Sequence, residues 1–291
     1  MSTPDPNRVL VTGVGGPSGH AAVTALRARG YWTLAVDMND VAHGADAFAR
    51  MPAARTPEFV PELRALLATH RIGWLFPTVA EELAIVASLA PVLRAEGISV
   101  FMSAAGAVRV CEDKWRTAEE LGARGVAVPR GALDEPTAAH DIGYPLLSRP
   151  RVGRGGRGVT VHDAAGTVPA AGELLWQEFL DGTEYDVLLV RDPRPPQAFP
   201  MLQVFEKTKL KQGRVGNAVD VVPIACEDVA DLARAAVTAL GLTGPIDLDI
   251  RRGRDGLPRL LEINARIGAH ALKAPAVFDV LAALHRAGCR G

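Results

Sequence analysis

The sequence predicts a two-part α/β protein, with a parallel α/β sheet over the first hundred residues and antiparallel α+β structure after it. Three observations carry this. Short apolar runs alternate with amphipathic helical stretches in residues 1–105, and from Tyr144 onward strands follow one another through Gly/Pro/Asp turns. The 291-residue length also corresponds to roughly two domains at about 150 residues each.

Composition narrows the class. Apolar residues make up 48% and charged residues 22%, values of a globular rather than a disordered or fibrous chain. The 32 basic and 33 acidic residues nearly cancel, which removes any bulk electrostatic reason to bind nucleic acid or an acidic membrane. Cys111, Cys226 and Cys289 are widely spaced with no C-x-x-C, so neither a disulfide framework nor a cysteine zinc site is expected, and a reducing cytoplasm fits. The polar start and the lack of any run of about 18 apolar residues argue against secretion and membrane spanning. Only Lys114, Lys207, Lys209, Lys211 and Lys273 are lysines, so each lysine in this arginine-rich chain calls for a local reason.

In order, strands are expected at Val9–Thr12, Thr33–Val36, Trp74–Phe76 and Ile98–Phe101, with helices near 18–29, 60–70 and 80–95. These make four βα units. Ala104–Leu121 reads as one helix, and Val126–Pro129 as a short extended piece ended by proline. The domain boundary is placed near residue 105. Strands then follow at Leu146–Arg149, Gly158–His162, Leu174–Phe179, Tyr185–Val190, Ala198–Glu206 and Ala218–Pro223. A helix at 227–240, two strands at 246–251 and 259–264, and a last helix at about 274–287 complete the chain.

Four segments could carry chemistry. Thr12-Gly-Val-Gly15-Gly16-Pro-Ser-Gly19 ends a strand and opens a helix, with Asp37 ending the next strand, as in dinucleotide-binding folds. The same glycines also suit a tight strand-to-helix turn with no ligand. A nicotinamide enzyme of the short-chain type needs Tyr-x-x-x-Lys, and the residues four beyond Tyr31, Tyr144 and Tyr185 are Ala35, Ser148 and Leu189. That chemistry is missing.

Arg149-Pro-Arg151-Val-Gly153-Arg154-Gly155-Gly156-Arg157-Gly158 joins two strands. It reads as a phosphate-covering loop, a solvated hairpin or an RNA contact. No aromatic residue in it could stack on bases, which favours the phosphate of a small nucleotide.

Period-two alternation places Asp247, Asp249 and Arg251 on one strand face and Glu262, Asn264 and Arg266 on one face of the returning strand. Paired as a hairpin, the strands would bring Asp249, Glu262 and Asn264 together as oxygen ligands suited to Mg²⁺. A solvated charged sheet face is the alternative. Lys207, Lys209 and Lys211 alternate on one strand face, suiting either an anionic substrate or an edge strand guarded against aggregation.

Together with Trp176–Asp186, a strand, turn and strand able to hold an adenine edge and a ribose hydroxyl, these segments resemble the ATP-grasp superfamily. The resemblance runs over residues 8 to 270, in the branch similar to the carbamoyl-phosphate synthase large chain and the pyrrolysine-pathway ligase. Its most specific part is Glu262-Ile-Asn264-Ala-Arg266, like the family's E-x-N-x-R, with Asp249 thirteen residues before it.

By this resemblance Asp249, Glu262 and Asn264 hold Mg²⁺, or Mn²⁺ in its place, and Arg266 neutralises the phosphoryl group in flight, with Asn264 and Arg149 also at the catalytic centre. ATP is held by Lys114, Arg149, Arg151, the lid glycines Gly155 and Gly156, the hinge Gln177, Glu178, Phe179 and Leu180, and Glu184 at the ribose. Lys207, Lys209, Lys211, Gly15 and Gly16 face the substrate side. The implied architecture is a Rossmann-like pre-ATP-grasp domain over 1–105 and an ATP-grasp domain over 106–291, comprising a small lid subdomain at about 125–180 and a C-terminal subdomain at about 181–291. The implied reaction joins a small carboxylate to an amine through an acyl phosphate, releasing ADP and phosphate. A homodimer is compatible with it.

A nucleotide-binding regulator without turnover and an NAD(P)-dependent epimerase or reductase are the alternatives. Ser148 departs from the family's usual valine or isoleucine. The chain continues only 25 residues past Arg266, so no appended substrate module is expected.

Overall fold

The computed structural model describes residues 3–153, 155–166 and 173–288. Arg154 of the Gly/Arg loop and Cys289 lie outside the described residues. The first part contains β1 (Asp5–Thr12), α1 (Pro17–Ala28), β2 (Trp32–Asp37), β3 (Ala47–Arg50), α2 (Phe59–Thr69), β4 (Ile72–Phe76) and α3 (Ala80–Ala95). Its sheet is parallel, in the order β3-β2-β1-β4. Val9–Val11 of β1 and Ile72–Phe76 of β4 are buried, largely apolar runs because helices cover both faces of the sheet.

Two expectations are corrected in this region. Ile98–Phe101 does not form a ladder strand, since only Ser99 bridges to Trp74. Past it the backbone at Phe101 and Met102 presses against Gly244, and Ser103 exchanges hydrogen bonds with Thr243. The fourth strand is instead Ala47–Arg50, four half-exposed residues with too weak an alternation to read.

Residues 104–121 form two helices, α4 (Ala105–Glu112) and α5 (Lys114–Gly122). Asp113 breaks the run by adopting extended geometry and capping α5, its carboxylate accepting from the N–H groups of Trp115 and Arg116. Next come β5 (Gly131–Ala132) and α6 (Glu135–Asp141), which the sequence did not announce. They are followed by β6 (Leu146–Pro150), β7 (Thr160–His162) and β8 (Leu174–Glu178). These strands form a small antiparallel sheet, β5-β8-β6-β7. Among the described residues its core cluster is Ala132, Ala138, Leu146 and Trp176, with Leu175 of β8 buried as well, a small core of the kind expected in a movable part.

The larger antiparallel sheet, ordered β11-β10-β9-β12-β13, is built from β9 (Glu184–Arg191), β10 (Met201–Leu210), β11 (Ala218–Ile224), β12 (Gly244–Arg252) and β13 (Pro258–Asn264). α7 (Glu227–Ala239) covers one face with α4 and α5. On the other face Leu188, Val190 and Phe205 share a core with Val9, Val11 and Trp74 of the parallel sheet. α8 (Ala276–Gly288) is the wedge in this core, with His285 stacked on Trp74 at 4.7 Å and Phe278 on Phe76. The two sheets are thereby fastened together, and the charged ends of their strands open toward a common space.

Glu82 ties the ends of β1 and β4 together. Its carboxylate is buried, accepts from the Thr12 hydroxyl, and lies 3.2 Å from the N–H groups of both Thr78 and Val79. Burial pushes the carboxyl up to about 7, outweighing those hydrogen bonds. The native state therefore binds this proton more tightly than the unfolded chain. Its contribution to stability is full below pH 4.5 and lost as pH rises to about 7. Subtracting the urea-unfolding profile of Glu82→Gln from that of the wild type should expose a fall of order 3 kcal/mol across this window. A difference that stays flat with pH would refute the buried, protonated assignment.

Candidate nucleotide and metal site

The candidate site is a charged grid on one face of the large sheet. Asp186 of β9 lies opposite Asp249 of β12, Asp249 opposite Glu262 of β13, and Asp247 opposite Asn264. Glu184 lies opposite Arg251. The period-two reading thus selects the correct face, and the register adds Glu184 and Asp186 to it.

Lys207 of β10 reaches across this grid. Its ammonium, 6% exposed, lies 2.7 Å from Glu184 and bonds to Asp249 as well. Burial pulls its pKa down, but Asp249, Glu184 and Asp186 outweigh this and raise it well above the usual lysine range. Arg251 clamps the other oxygen of Glu184 at 3.3 Å. The expected row of three lysines is corrected: a bulge between Lys207 and Lys209 breaks the alternation, and Lys209 and Lys211 are exposed.

Lys114 and Arg149 approach from the side of the small sheet. Lys114 donates to Gly153 O at 2.8 Å and stands 3.5 Å from Glu262. Arg149 donates to Leu261 O at 2.7 Å, lies 3.9 Å from Glu262, and keeps a buried Nε with no partner. Burial lowers both pKa values, and for Lys114 the Arg149 charge adds to this against the pull of Glu262. Glu262 and Asp249 act on both cations and Glu184 on Arg149 as well, and the orphaned Nε is a donor awaiting an acceptor.

Arg151 behaves differently from the expectation. Its guanidinium grips Asp113 at 2.5 Å and Glu173 at 3.2 Å, and its carbonyl accepts from Lys114 N–H, so it fixes the start of α5 rather than lining the cavity.

Lys114, Arg149, Gly155, Gly156, Glu184, Lys207, Asp249, Glu262, Asn264 and Arg266 all line one cavity of about 1000 Å³. It extends to Gly16 at the glycine turn of β1–α1. Gly15 is not among the lining residues, and its N–H donates to Asp37, which lines the cavity and whose other oxygen accepts from Asn39 N–H. Gly155 and Gly156 have positive φ, and Gly156 passes so close to Gly216 that a Cβ would lie 3.0 Å from its Cα.

The hinge residues are less open. Gln177 is buried, and Glu178 is held by Arg130 and Arg259. Phe179 lies under the guanidiniums of Arg214 and Arg251 at 4.4 and 5.1 Å. Neither these three nor Leu180 line the cavity.

The sequence reading missed a second buried group. Asp186 and Asp247 stand together in the cavity wall, with His270 Nδ1 2.6 Å from Asp186 and the Asn264 amide 3.2 Å from Asp247. Burial raises both carboxyls, Asp247 furthest because Asp186 and Asp249 face it, and burial lowers His270. Asp247 was legible as a same-face acid, but its pairing with Asp186 depends on register between distant segments.

Among the described residues no three His, Cys, Asp or Glu side chains form a metal site by themselves. Asp249 and Glu262, with Asn264 nearby, are nevertheless the oxygen donors that Mg²⁺ uses when phosphates complete its shell. The orphaned Arg149 Nε fits the phosphates.

The chain belongs to the ATP-grasp family, whose ATP-grasp domain matches residues 111–270. Members of this family bind Mg-ATP. The chain is 25% identical over 278 residues to the carbamoyl phosphate synthase large chain of Thermus thermophilus, covering 86% of this chain and 27% of that one. It therefore spans about a quarter of that relative's length. It is also 25% identical over 273 residues to a D-alanine–D-alanine ligase of Pseudomonas fluorescens, covering 86% and 76%. Its fold is similar to that of an L-amino acid ligase from Bacillus licheniformis, with a TM-score of 0.68 at 18% identity over 91% of this chain and 68% of that one.

Because Lys207 and Lys114 already face Asp249 and Glu262, metal should need the nucleotide to draw the lysines away. In thermal unfolding, Mg²⁺ alone should leave the melting temperature unchanged. Mg²⁺ with a nonhydrolysable ATP analogue at 100 times its Kd should add about 2.7 kcal/mol of stability. Arg149→Gln should remove most of that gain. Stabilisation by Mg²⁺ alone would contradict the assignment.

Proposed function

We propose that the chain is an ATP-dependent carboxylate–amine ligase acting through an acyl phosphate. The observation that carries this reading is the single cavity joining the buried cations Lys114 and Arg149, the latter with an unpaired Nε, to the oxygen face of Asp249, Glu262 and Asn264, with room continuing to Gly16. A cavity of about 1000 Å³ can take a nucleotide together with small co-substrates.

In this reading Lys114 and Arg149 hold the β- and γ-phosphates, and Gly155 and Gly156 close over them. The hinge from Gln177 to Leu180 receives adenine, and Glu184 the ribose, once Arg214 and Arg251 shift from their stacked positions. Asp249, Glu262 and Asn264 hold Mg²⁺, which supplies charge neutralisation across the transferring phosphoryl group. The substrate carboxylate attacks the γ-phosphorus, the bond to the β-phosphate oxygen breaks, and ADP leaves. The amine then attacks the acyl carbon, the carbon–oxygen bond to phosphate breaks with its electrons going to phosphate, and the amine's proton passes to solvent. Positioning and charge neutralisation suffice for the first step, which agrees with a site rich in cations.

Arg266 donates to Ile267 O at 2.6 Å and lies 3.4 Å from Asn264 Oδ1, beside the metal donors. In this reading it meets charge developing during transfer, which its position beside Asn264 supports. A coupled assay of ADP release across pairs of amino acids should find a stimulating pair. Arg266→Ala should then lower kcat by about a hundred- to a thousandfold while sparing ATP affinity. Failure of every carboxylate to stimulate ADP release, with Mg-ATP bound, would favour a nucleotide-binding regulator. Binding of NAD(P) in place of Mg-ATP would favour an oxidoreductase.

A further inference from the structure

We propose that His270 is the general base of the amide-forming step, its Nε2 taking the proton from the attacking amine. The proposal rests on the ligase reading and adds a residue to its second half.

An amine attacking an acyl phosphate must shed a proton as its lone pair forms the carbon–nitrogen bond. His270 is the one histidine among the described residues that line the cavity. The carboxylates of the sheet face are committed to cations: Glu184 and Asp249 to Lys207, and Glu262 to Lys114 and Arg149.

The ring is held as an oriented base. Nδ1 of His270 lies 2.6 Å from Oδ2 of Asp186, a residue only 4% exposed. A carboxylate accepts, so this contact places the imidazole proton on Nδ1 and leaves the lone pair on Nε2. Among the described residues Nε2 has no hydrogen-bond partner and is not sealed from solvent, and the side chain keeps 22% of its surface exposed. Asp247 retains its own proton and hydrogen-bonds Asp186, so the charge of the acid pair rests on Asp186, beside the ring.

The surrounding charges set the protonation of the ring. Burial lowers its pKa from the usual imidazole value, Lys207 of β10 and Lys273 of the following turn add to this, and Asp247 and Asp249 of β12 oppose it. At neutral pH the ring is therefore uncharged and able to accept a proton. Once it has done so, the Asp186 carboxylate of β9 stabilises the imidazolium, which makes Asp186 a positioning residue.

The location suits the second step. Asp186 lies opposite the metal donor Asp249 across the β9–β12 ladder, and His270 opens the short turn Ala271–Lys273, which packs against α1. The imidazole thus joins the carboxylate wall to the side of the cavity that leads to the glycine turn. In the step, the lone pair of the neutral amine forms the bond to the acyl carbon, an N–H proton passes to Nε2, and the electrons of the carbon–oxygen bond leave with phosphate. The imidazolium then releases its proton to solvent.

The test compares two nucleophiles. Hydroxylamine is largely unprotonated at neutral pH and captures acyl phosphates without a base, giving a hydroxamate. His270→Asn keeps a side-chain N–H at the position of Nδ1 for Asp186 and removes Nε2. With the amino-acid pair that stimulates ADP release in the wild type, this variant should form amide about a hundredfold or more slowly. From the same acid and hydroxylamine it should form hydroxamate at close to the wild-type rate. A thermal shift with Mg²⁺ and the nonhydrolysable ATP analogue equal to that of the wild type reports an intact fold.

If the variant fails to fold, the wild type still decides. Long-range ¹H–¹⁵N spectra of the sequentially assigned protein should show His270 with its proton on Nδ1 and a bare Nε2. Equal losses of amide and hydroxamate, no loss of either, or a His270 proton on Nε2 would overturn the proposal. A wild type that forms neither product with any amino acid overturns the ligase reading, and the base with it, so the two failures are told apart.

Discussion

The buried ammonium of Lys207, bonded to Glu184 and Asp249, is the interaction on which the site depends. Five carboxylates, Glu184, Asp186, Asp247, Asp249 and Glu262, share one face of a sheet whose central strand is buried along its whole length. So much negative charge could not persist in a water-poor setting without compensation. Lys207 and Arg251 neutralise one end, and Lys114 with Arg149 reaches the other at Glu262. The lysines thus hold positions next to the carboxylates that Mg²⁺ would share with phosphate. In the proposed function an incoming polyanion would exchange lysine for metal and so couple the two ligands.

The scaffold makes that exchange feasible by dividing rigidity unequally. Trp74, Phe76, Phe278 and His285 lock the parallel sheet to the large antiparallel sheet, so the carboxylate grid and the glycine turn keep their separation. Arg149 instead belongs to the small sheet, whereas Lys114 starts α5, which packs on the large sheet, and its N–H bonds the Arg151 carbonyl of the small sheet's loop. The two cations thus come from parts held to different degrees. Phe179 at the junction, covered by Arg214 and Arg251, is where adenine and these guanidiniums would compete for the same aromatic face.

The legible parts of the sequence were those governed by local periodicity. Alternation over residues 246–251 and 259–266 placed Asp249 on one strand face and Glu262, Asn264 and Arg266 on a face of the returning strand, while Lys114 was assigned only through the family resemblance. Features set by interactions across the fold were hidden. Asp113 splits an apparently continuous helix because its carboxylate both caps α5 and binds Arg151. Phe101 leaves the parallel sheet because Gly244 admits its backbone. The bulge after Lys207 sends that lysine inward and its two companions into solvent. The meeting of Asp186, Asp247 and His270 depends on pairing between segments 60 or more residues apart, which no local pattern encodes.

An isotope measurement addresses the acyl-phosphate chemistry most directly. Turnover of a carboxylate labelled with ¹⁸O, with ATP and an amine, should transfer one labelled oxygen from the carboxylate into the released phosphate, because that oxygen bridges carbon and phosphorus before amide formation. Phosphate that contains no label from the carboxylate would show that ATP is cleaved without acyl-phosphate formation, and would contradict the ligase mechanism.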